Sequence, residues 1–222
     1  MDAEPVAGRD AVDTVISKLG VVPVAVIDDA ARAVPLGEAL LAGGLPCAEI
    51  TFRTDAAPGA IAALVQAFPE MAVGAGTVLT VDQAGAAVAA GARFVVSPHY
   101  DESVVEWCLA RDVLVIPGAM TPTEVARAAD HGVRLVKFFP AEPAGGVAAL
   151  KAMAAVFPDI EFFPTGGINA ANLGDYLRLP MVAACGGSWV APRRLVAAGD
   201  FATIESLVAE AAGIVRSVRG DG

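Results

Sequence analysis

Short apolar runs alternate with longer amphipathic ones along the chain. The apolar runs fall at residues 21–27, 47–52, 72–76, 93–97, 113–117, 135–138, 160–164 and 181–185. They are continuous and rich in Val, Ile and Phe rather than alternating with polar residues. That pattern predicts strands buried on both faces, as in a parallel sheet covered by helices. Between them the periodicity predicts helices over 30–42, 57–67, 81–90, 102–110, 147–156, 169–177 and 200–219. Punctuation supports these boundaries: Gly43-Gly44 and Gly91 close helices, and Pro69 stops another. Thr121-Pro122-Thr123-Glu124 opens a further helix as a capping box with proline at the first helical position.

Eight strand–helix units in sequence predict a parallel sheet, and eight is the number that closes a (β/α)8 TIM barrel. An open doubly wound sheet is the alternative. No segment is biased enough to be a linker, so residues 1–222 read as one α/β domain. An N-terminal extension of about residues 1–12 and a flexible tail of about 218–222 flank it.

Composition narrows the classes. A hydrophobic fraction of 55% with 18% charged residues excludes a disordered chain. The mean hydropathy of +0.59 raises the membrane question. The longest charge-free stretches are 56–69 and 179–192, 14 residues each and broken by Pro and Gly. A span needs about 18 apolar residues, so no membrane segment is expected. The start, Met1-Asp2-Ala3-Glu4, lacks the basic region and apolar core of a signal peptide, and a cytoplasmic protein is expected. The net charge of −10 offers no basic stripe for nucleic acid. Cys47, Cys108 and Cys185 show no paired spacing and read as reduced, buried residues. With His99 and His131 as the only histidines, no metal site is expected.

In such a barrel the chemistry lies where strands end. Of three lysines, Lys18 and Lys151 fall on predicted helix surfaces, but Lys137 stands within the apolar run Leu-Val-Lys-Phe-Phe. A buried ammonium is expensive unless paired or deprotonated. Lys137 is therefore either half of a structural ion pair, with Glu49 as partner, or a desolvated amine serving as nucleophile. Glu49, a carboxylate in another apolar strand, is either that partner or a general acid/base. Glu142 reads as a loop or interface residue. Gly166-Gly167 and Gly186-Gly187 with Ser188 follow the last two strands, where barrels recurrently bind phosphate through backbone amides. Gly74-Ala75-Gly76 lacks the third glycine of a dinucleotide fingerprint, since Leu79 stands there.

These strand ends resemble the 2-dehydro-3-deoxy-phosphogluconate (KDPG) aldolase family of class I aldolases. The resemblance runs from about residue 21 to 201. It rests on Glu49-Ile-Thr-Phe-Arg53-Thr54, Gly74-Ala-Gly-Thr77-Val-Leu, Lys137-Phe-Phe-Pro-Ala-Glu142, Pro164-Thr-Gly-Gly167 and Gly186-Gly-Ser-Trp189. It implies that Lys137 forms a Schiff base with the C2 carbonyl and that Glu49 is the general acid/base. It further implies that Arg53 and Thr77 hold the pyruvyl carboxylate, and that Pro98 and Phe139 wall the pocket. Thr165 would orient the aldehyde portion, and Gly166, Gly167, Gly187 and Ser188 would hold the phosphate.

The implied substrates are a 2-keto-3-deoxy phosphosugar acid, pyruvate and glyceraldehyde 3-phosphate. No cofactor or metal is implied, and a homotrimer is. 4-Hydroxy-2-oxoglutarate cleavage is the near alternative. A non-catalytic phosphosugar-binding barrel and a phosphosugar isomerase or epimerase are further alternatives. Two positions depart from the family pattern: His99 follows Ser97-Pro98 where many relatives have glycine, and the first strand ends in Asp28-Asp29 without a base.

Overall fold

The computed structural model describes residues 8–220. The chain begins with a helix that the sequence reading missed, α1 (Arg9–Leu19). Strands and helices then alternate: β1 (Val21–Ala25), α2 (Ala33–Ala42), β2 (Cys47–Thr51), α3 (Ala57–Ala67), β3 (Ala72–Gly76) and α4 (Val81–Ala89). β4 (Phe94–Val96), α5 (Glu102–Leu109), β5 (Leu114–Ile116), β6 (Gly118–Ala119) and α6 (Pro122–Asp130) follow. The chain continues through β7 (Leu135–Phe138), α7 (Gly146–Ala154), β8 (Glu161–Phe162), α8 (Leu173–Leu177) and β9 (Cys185–Gly187) to α9 (Arg193–Ala198) and α10 (Phe201–Arg219). The box expected at α6 is present, with Thr121 and Glu124 capping each other's backbone and proline in the first turn.

All strand pairs are parallel. Six strands form one curled sheet in the order β5-β4-β3-β2-β1-β9, and β6-β7-β8 form a second. A single continuous eight-strand ladder, expected from the sequence, is therefore not what the pairing gives. The fifth apolar run ends at Pro117, which has no N–H for the ladder, and β5 before it and β6 after it belong to different sheets. Lys137 N–H still donates to the Pro117 carbonyl at 2.9 Å across this junction. On the other side, among the described residues, the sheets meet through the isolated bridges Phe162–Val182 and Thr165–Gly186.

Successive residues of each strand serve two separate cores. Val21, Ala48, Ile50, Val73, Ala75, Val95, Val115 and Val136 pack outward under the helices. Val22, Cys47, Ala72, Phe94, Val96, Leu114, Ile116, Leu135 and Phe163 pack inward against each other. The alternation carries no polar signal because both faces are apolar. Val12 and Ile16 of α1 join the inward cluster, 2% and 0% exposed, so the helix closes the amino ends of the strands. The extension expected over residues 1–12 is thus partly structural from Arg9, and residues 1–7 lie outside the described ones. The expected flexible tail is also corrected. α10 runs to Arg219, whose guanidinium donates to the Ser17, Val182 and Ala183 carbonyls, and residues 221–222 lie outside the described ones.

All three cysteines are free and buried. Burial pushes the Cys108 thiol up to about 12 and those of Cys47 and Cys185 up as well, which keeps them protonated and inert. Among the described residues no helix is long and apolar enough to cross a membrane.

Candidate active site

The inward phase of β2 runs Cys47, Glu49, Thr51, and that of β7 runs Leu135, Lys137. Cys47 and Leu135 belong to the inward apolar cluster, so Glu49 and Lys137, two residues further on, enter the same interior nearer the carboxyl ends. There they meet. Lys137 Nζ lies 3.4 Å from Glu49 Oε1, with the two side chains 6% and 0% exposed. The residues stand 88 apart in sequence, and the pairing anticipated as one alternative is present. Space for it is made by Gly76 on the neighbouring strand, where any Cβ would collide with the Glu49 carboxylate.

An ion pair removed from water recovers its desolvation cost only with good geometry and full hydrogen bonding. Here neither condition holds. The contact is long, and Glu49 Oε2 is buried with no hydrogen-bond partner. A merely structural pair would be expected to satisfy that oxygen. The arrangement instead leaves an amine and a free carboxylate oxygen facing one interior. The Lys137 ammonium also sits 5.4 Å from the centroid of the Phe139 ring, and Phe139 is half-buried at the end of β7.

The remaining expected residues distribute around the same rim. Thr77 follows β3 at φ 54°, a left-handed conformation uncommon for a β-branched residue and typical of functional sites where surrounding structure holds it. Arg53 follows β2, is exposed, and lines a groove with Thr54, Asp55, Pro58 and Gln83. No hydrogen bond or ion pair joins Arg53 or Thr77 to Lys137 or Glu49 among the described residues. Pro98 is half-buried, and its carbonyl packs on Gly118 at the sheet junction. His99 is exposed, and its carbonyl accepts from the Ser97 hydroxyl at 2.7 Å.

Thr165 is buried, and its Oγ1 has no hydrogen-bond partner. Its side chain fills the space beside Gly186, where a Cβ would strike it. Gly166 and Gly167 turn the chain with φ of 101° and 83°. Gly187 pairs with Pro23 of β1 and is followed by exposed Ser188. The Thr165–Gly186 bridge brings these two strand ends together. Among the described residues, the N–H groups of Gly166, Gly167 and Ser188 donate to no protein acceptor. Free amides at adjacent strand ends are the donor set that an anion takes.

Two features escaped sequence reasoning. Asp28, in the acidic ending of the first strand, is clamped by Arg193 Nε at 2.9 Å and Nη2 at 2.5 Å, from 165 residues away. The guanidinium holds the Asp28 carboxyl below the usual range. A base therefore does stand at the end of the first strand, supplied by α9. Tyr176 of α8 donates to Glu142, beside the Gly167 turn. Separately, Glu102, Glu106 and His131 gather on α5 and at the end of α6, with His131 Nε2 3.6 and 3.8 Å from the two carboxylates. Tyr100 hydroxyl and the Arg127 carbonyl lie 2.8 and 2.9 Å from Nδ1. This cluster belongs to the outer helices rather than the strand ends.

Comparison with known proteins agrees with this geometry. A family model described as KDPG and KHG aldolase matches residues 12–207. The 2-dehydro-3-deoxy-phosphogluconate aldolase of Treponema pallidum is 48% identical over 192 residues, 86% of this chain and 91% of that protein. The KDPG aldolase of Legionella pneumophila, solved with pyruvate captured as a covalent carbinolamine intermediate, superposes with a TM-score of 0.86. It is 40% identical, over 89% of this chain and 96% of that one. The 2-keto-3-deoxy-6-phosphogluconate aldolase of Zymomonas mobilis, solved with 3-phosphoglycerate, also gives 0.86, at 41% identity over 94% of this chain and 97% of that one. With its buried lysine and carboxylate at the carboxyl ends of parallel strands, this chain belongs to the KDPG and KHG aldolase family.

Proposed function

We propose that the protein is a class I aldolase that reversibly cleaves 2-dehydro-3-deoxy-6-phosphogluconate to pyruvate and glyceraldehyde 3-phosphate. The observation that carries this is the buried Lys137–Glu49 contact at 3.4 Å, with Glu49 Oε2 unpartnered. Lys137 attacks the C2 ketone as a neutral amine, and loss of water from the carbinolamine gives an iminium. Its positive nitrogen accepts the electron pair of the C3–C4 bond as that bond breaks. Glu49 takes the proton of the C4 hydroxyl, and glyceraldehyde 3-phosphate departs. Glu49 then returns a proton to C3 of the enamine, and water releases pyruvate from Lys137.

Arg53 and Thr77 hold the pyruvyl carboxylate, the arginine through charge-assisted hydrogen bonds. Phe139 and Pro98 wall the pocket, and Thr165 presents its free Oγ1 to the aldehyde portion. The amides of Gly166, Gly167 and Gly187 and the Ser188 hydroxyl take the phosphate. The unengaged amides of Gly166, Gly167 and Ser188 support this assignment, as does the phosphorylated three-carbon acid bound to the Zymomonas relative. In this reading the curled sheet works as a closed (β/α)8 barrel forming one domain. The two isolated bridges and the Lys137–Pro117 hydrogen bond support closure. We also read the protein as cytoplasmic and as a homotrimer, the latter supported by exposed Leu79 and Met120 on the loops after β3 and β6.

Release of pyruvate from the phosphorylated substrate and from 4-hydroxy-2-oxoglutarate tests the reading. A kcat/KM at least about tenfold higher on the phosphorylated substrate is expected, since several charge-assisted hydrogen bonds are gained. Equal or reversed preference would reassign the substrate, and no turnover of either would overturn the activity.

A further inference from the structure

The turn at Gly166–Gly167 does not stand alone. It packs against the segment leaving β7. A Cβ on Gly166 would come 3.3 Å from Pro140 Cα, and one on Gly167 would come 2.6 Å from Glu142 Cβ. Glu142 N–H donates to the Gly166 carbonyl at 3.0 Å. The stem of Glu142 thus lies against Gly167, while its head reaches elsewhere. A Cβ on Gly146, the first residue of α7, would come 3.1 Å from Glu142 Oε1 and 3.3 Å from the Tyr176 hydroxyl. Tyr176 is 0% exposed, and its hydroxyl donates to Glu142 Oε1. Burial and the Glu142 hydrogen bond both push the phenol's pKa up, so it remains the donor. Asn172 Nδ2 and Asn169 Nδ2 donate to the Gly167 carbonyl at 3.1 and 3.4 Å.

A carboxylate beside an anion-binding turn is a liability unless something fixes where its charge points. Here a buried phenol and the start of a helix, whose dipole favours negative charge, hold it. We propose that Glu142 and Tyr176 are positioning residues. They set the Gly166–Gly167 turn and tie the Glu142 carboxylate to α8, and so determine the preference for phosphorylated over unphosphorylated aldol substrates. This rests on the reading that the phosphate occupies that turn. Neither residue touches the reacting atoms, so the carbon chemistry at Lys137 is independent of them.

The test compares 2-dehydro-3-deoxy-6-phosphogluconate with 4-hydroxy-2-oxoglutarate in the parent enzyme, Tyr176→Phe, Glu142→Ala and Glu142→Gln. Tyr176→Phe and Glu142→Ala are expected to raise KM for the phosphorylated substrate about tenfold with kcat little changed. Their kcat/KM on the unphosphorylated substrate should move less than about twofold. Glu142→Gln, whose amide oxygen still accepts from Tyr176, should keep the parent preference. Equal losses on both substrates, or an unchanged preference in Tyr176→Phe and Glu142→Ala, would overturn the inference and leave the phosphate site standing. A parent enzyme with no preference for the phosphorylated substrate would overturn the phosphate reading itself. Thermal melts identify any variant that fails to fold, and the remaining variants then decide.

Discussion

The two ends of the strand bundle treat the same interior in opposite ways. At the amino end, α1 inserts Val12 and Ile16 against Val22, Cys47, Phe94 and Leu135, and the interior is closed by apolar side chains. At the carboxyl end the interior holds Glu49, Lys137 and Thr165, all buried, with Glu49 Oε2 and Thr165 Oγ1 lacking partners. The first end fills its interior with apolar side chains, and its unpartnered polar atoms, Asp13 Oδ1 and Arg93 Nη1, belong to residues outside that apolar cluster. The second keeps unsatisfied polar atoms that folding alone would remove. The contrast teaches that stability and reactivity are divided along the strand axis. Changes at one end should leave the property of the other nearly intact.

The largest effect is expected at the carboxyl end. Lys137→Met removes the nucleophile and should lower kcat on the order of 10⁴-fold or more, measured as pyruvate release. That variant leaves Glu49 buried without a partner, so kcat is read per folded molecule. Replacing both members, Lys137→Met with Glu49→Leu, should not lower the melting temperature, because an unsatisfied buried pair gives way to apolar side chains. Glu49→Gln should lower kcat by about 10²- to 10⁴-fold, the range for losing a general acid/base, while single-turnover capture of pyruvate on Lys137 persists. A mutant that keeps full activity in either case would break the division.

At the amino end the signs reverse. Ile16→Ala should cost about 2–5 kcal/mol in denaturant unfolding, with kcat per folded molecule unchanged. A fall in kcat there would show that the two ends are coupled. The smallest effect concerns Asp13 on α1, half-buried with Oδ1 unpartnered. Burial, then the nearby Glu161 and Asp10 carboxylates, raise its carboxyl above the usual 3.8. The folded state thus holds that proton more tightly than the unfolded state. Its contribution is therefore lost as pH rises through 3.8 and the raised folded value. Asp13→Asn should raise stability at pH 7 by less than about 1 kcal/mol, since solvent screens a half-exposed group. The gain should vanish at pH values below the usual aspartate range. An opposite trend in pH-dependent melts would contradict the assignment.

The same axis separates what the sequence made legible from what it hid. Lys137 and Glu49 were conspicuous because a charge inside an apolar run violates burial energetics wherever it occurs. The strand runs were legible for the same reason. The helix α1 was missed although Val12, Val15, Ile16 and Leu19 follow a helical stripe, because Arg9, Asp10, Asp13 and Lys18 dilute it. The break in the ladder had a local signal in Pro117, but a proline at a strand end has other uses. The Asp28–Arg193 clamp and the Glu142–Tyr176 hydrogen bond had none. Each joins side chains far apart in sequence, and only the closing of the strands brings them together.

The central claim is that Lys137 forms the Schiff base, and trapping it is the most direct measurement. Incubation with pyruvate and borohydride should inactivate the enzyme irreversibly and add one reduced pyruvyl group to the peptide containing Lys137. Addition to Lys18 or Lys151, or inactivation without any labelled lysine, would contradict it.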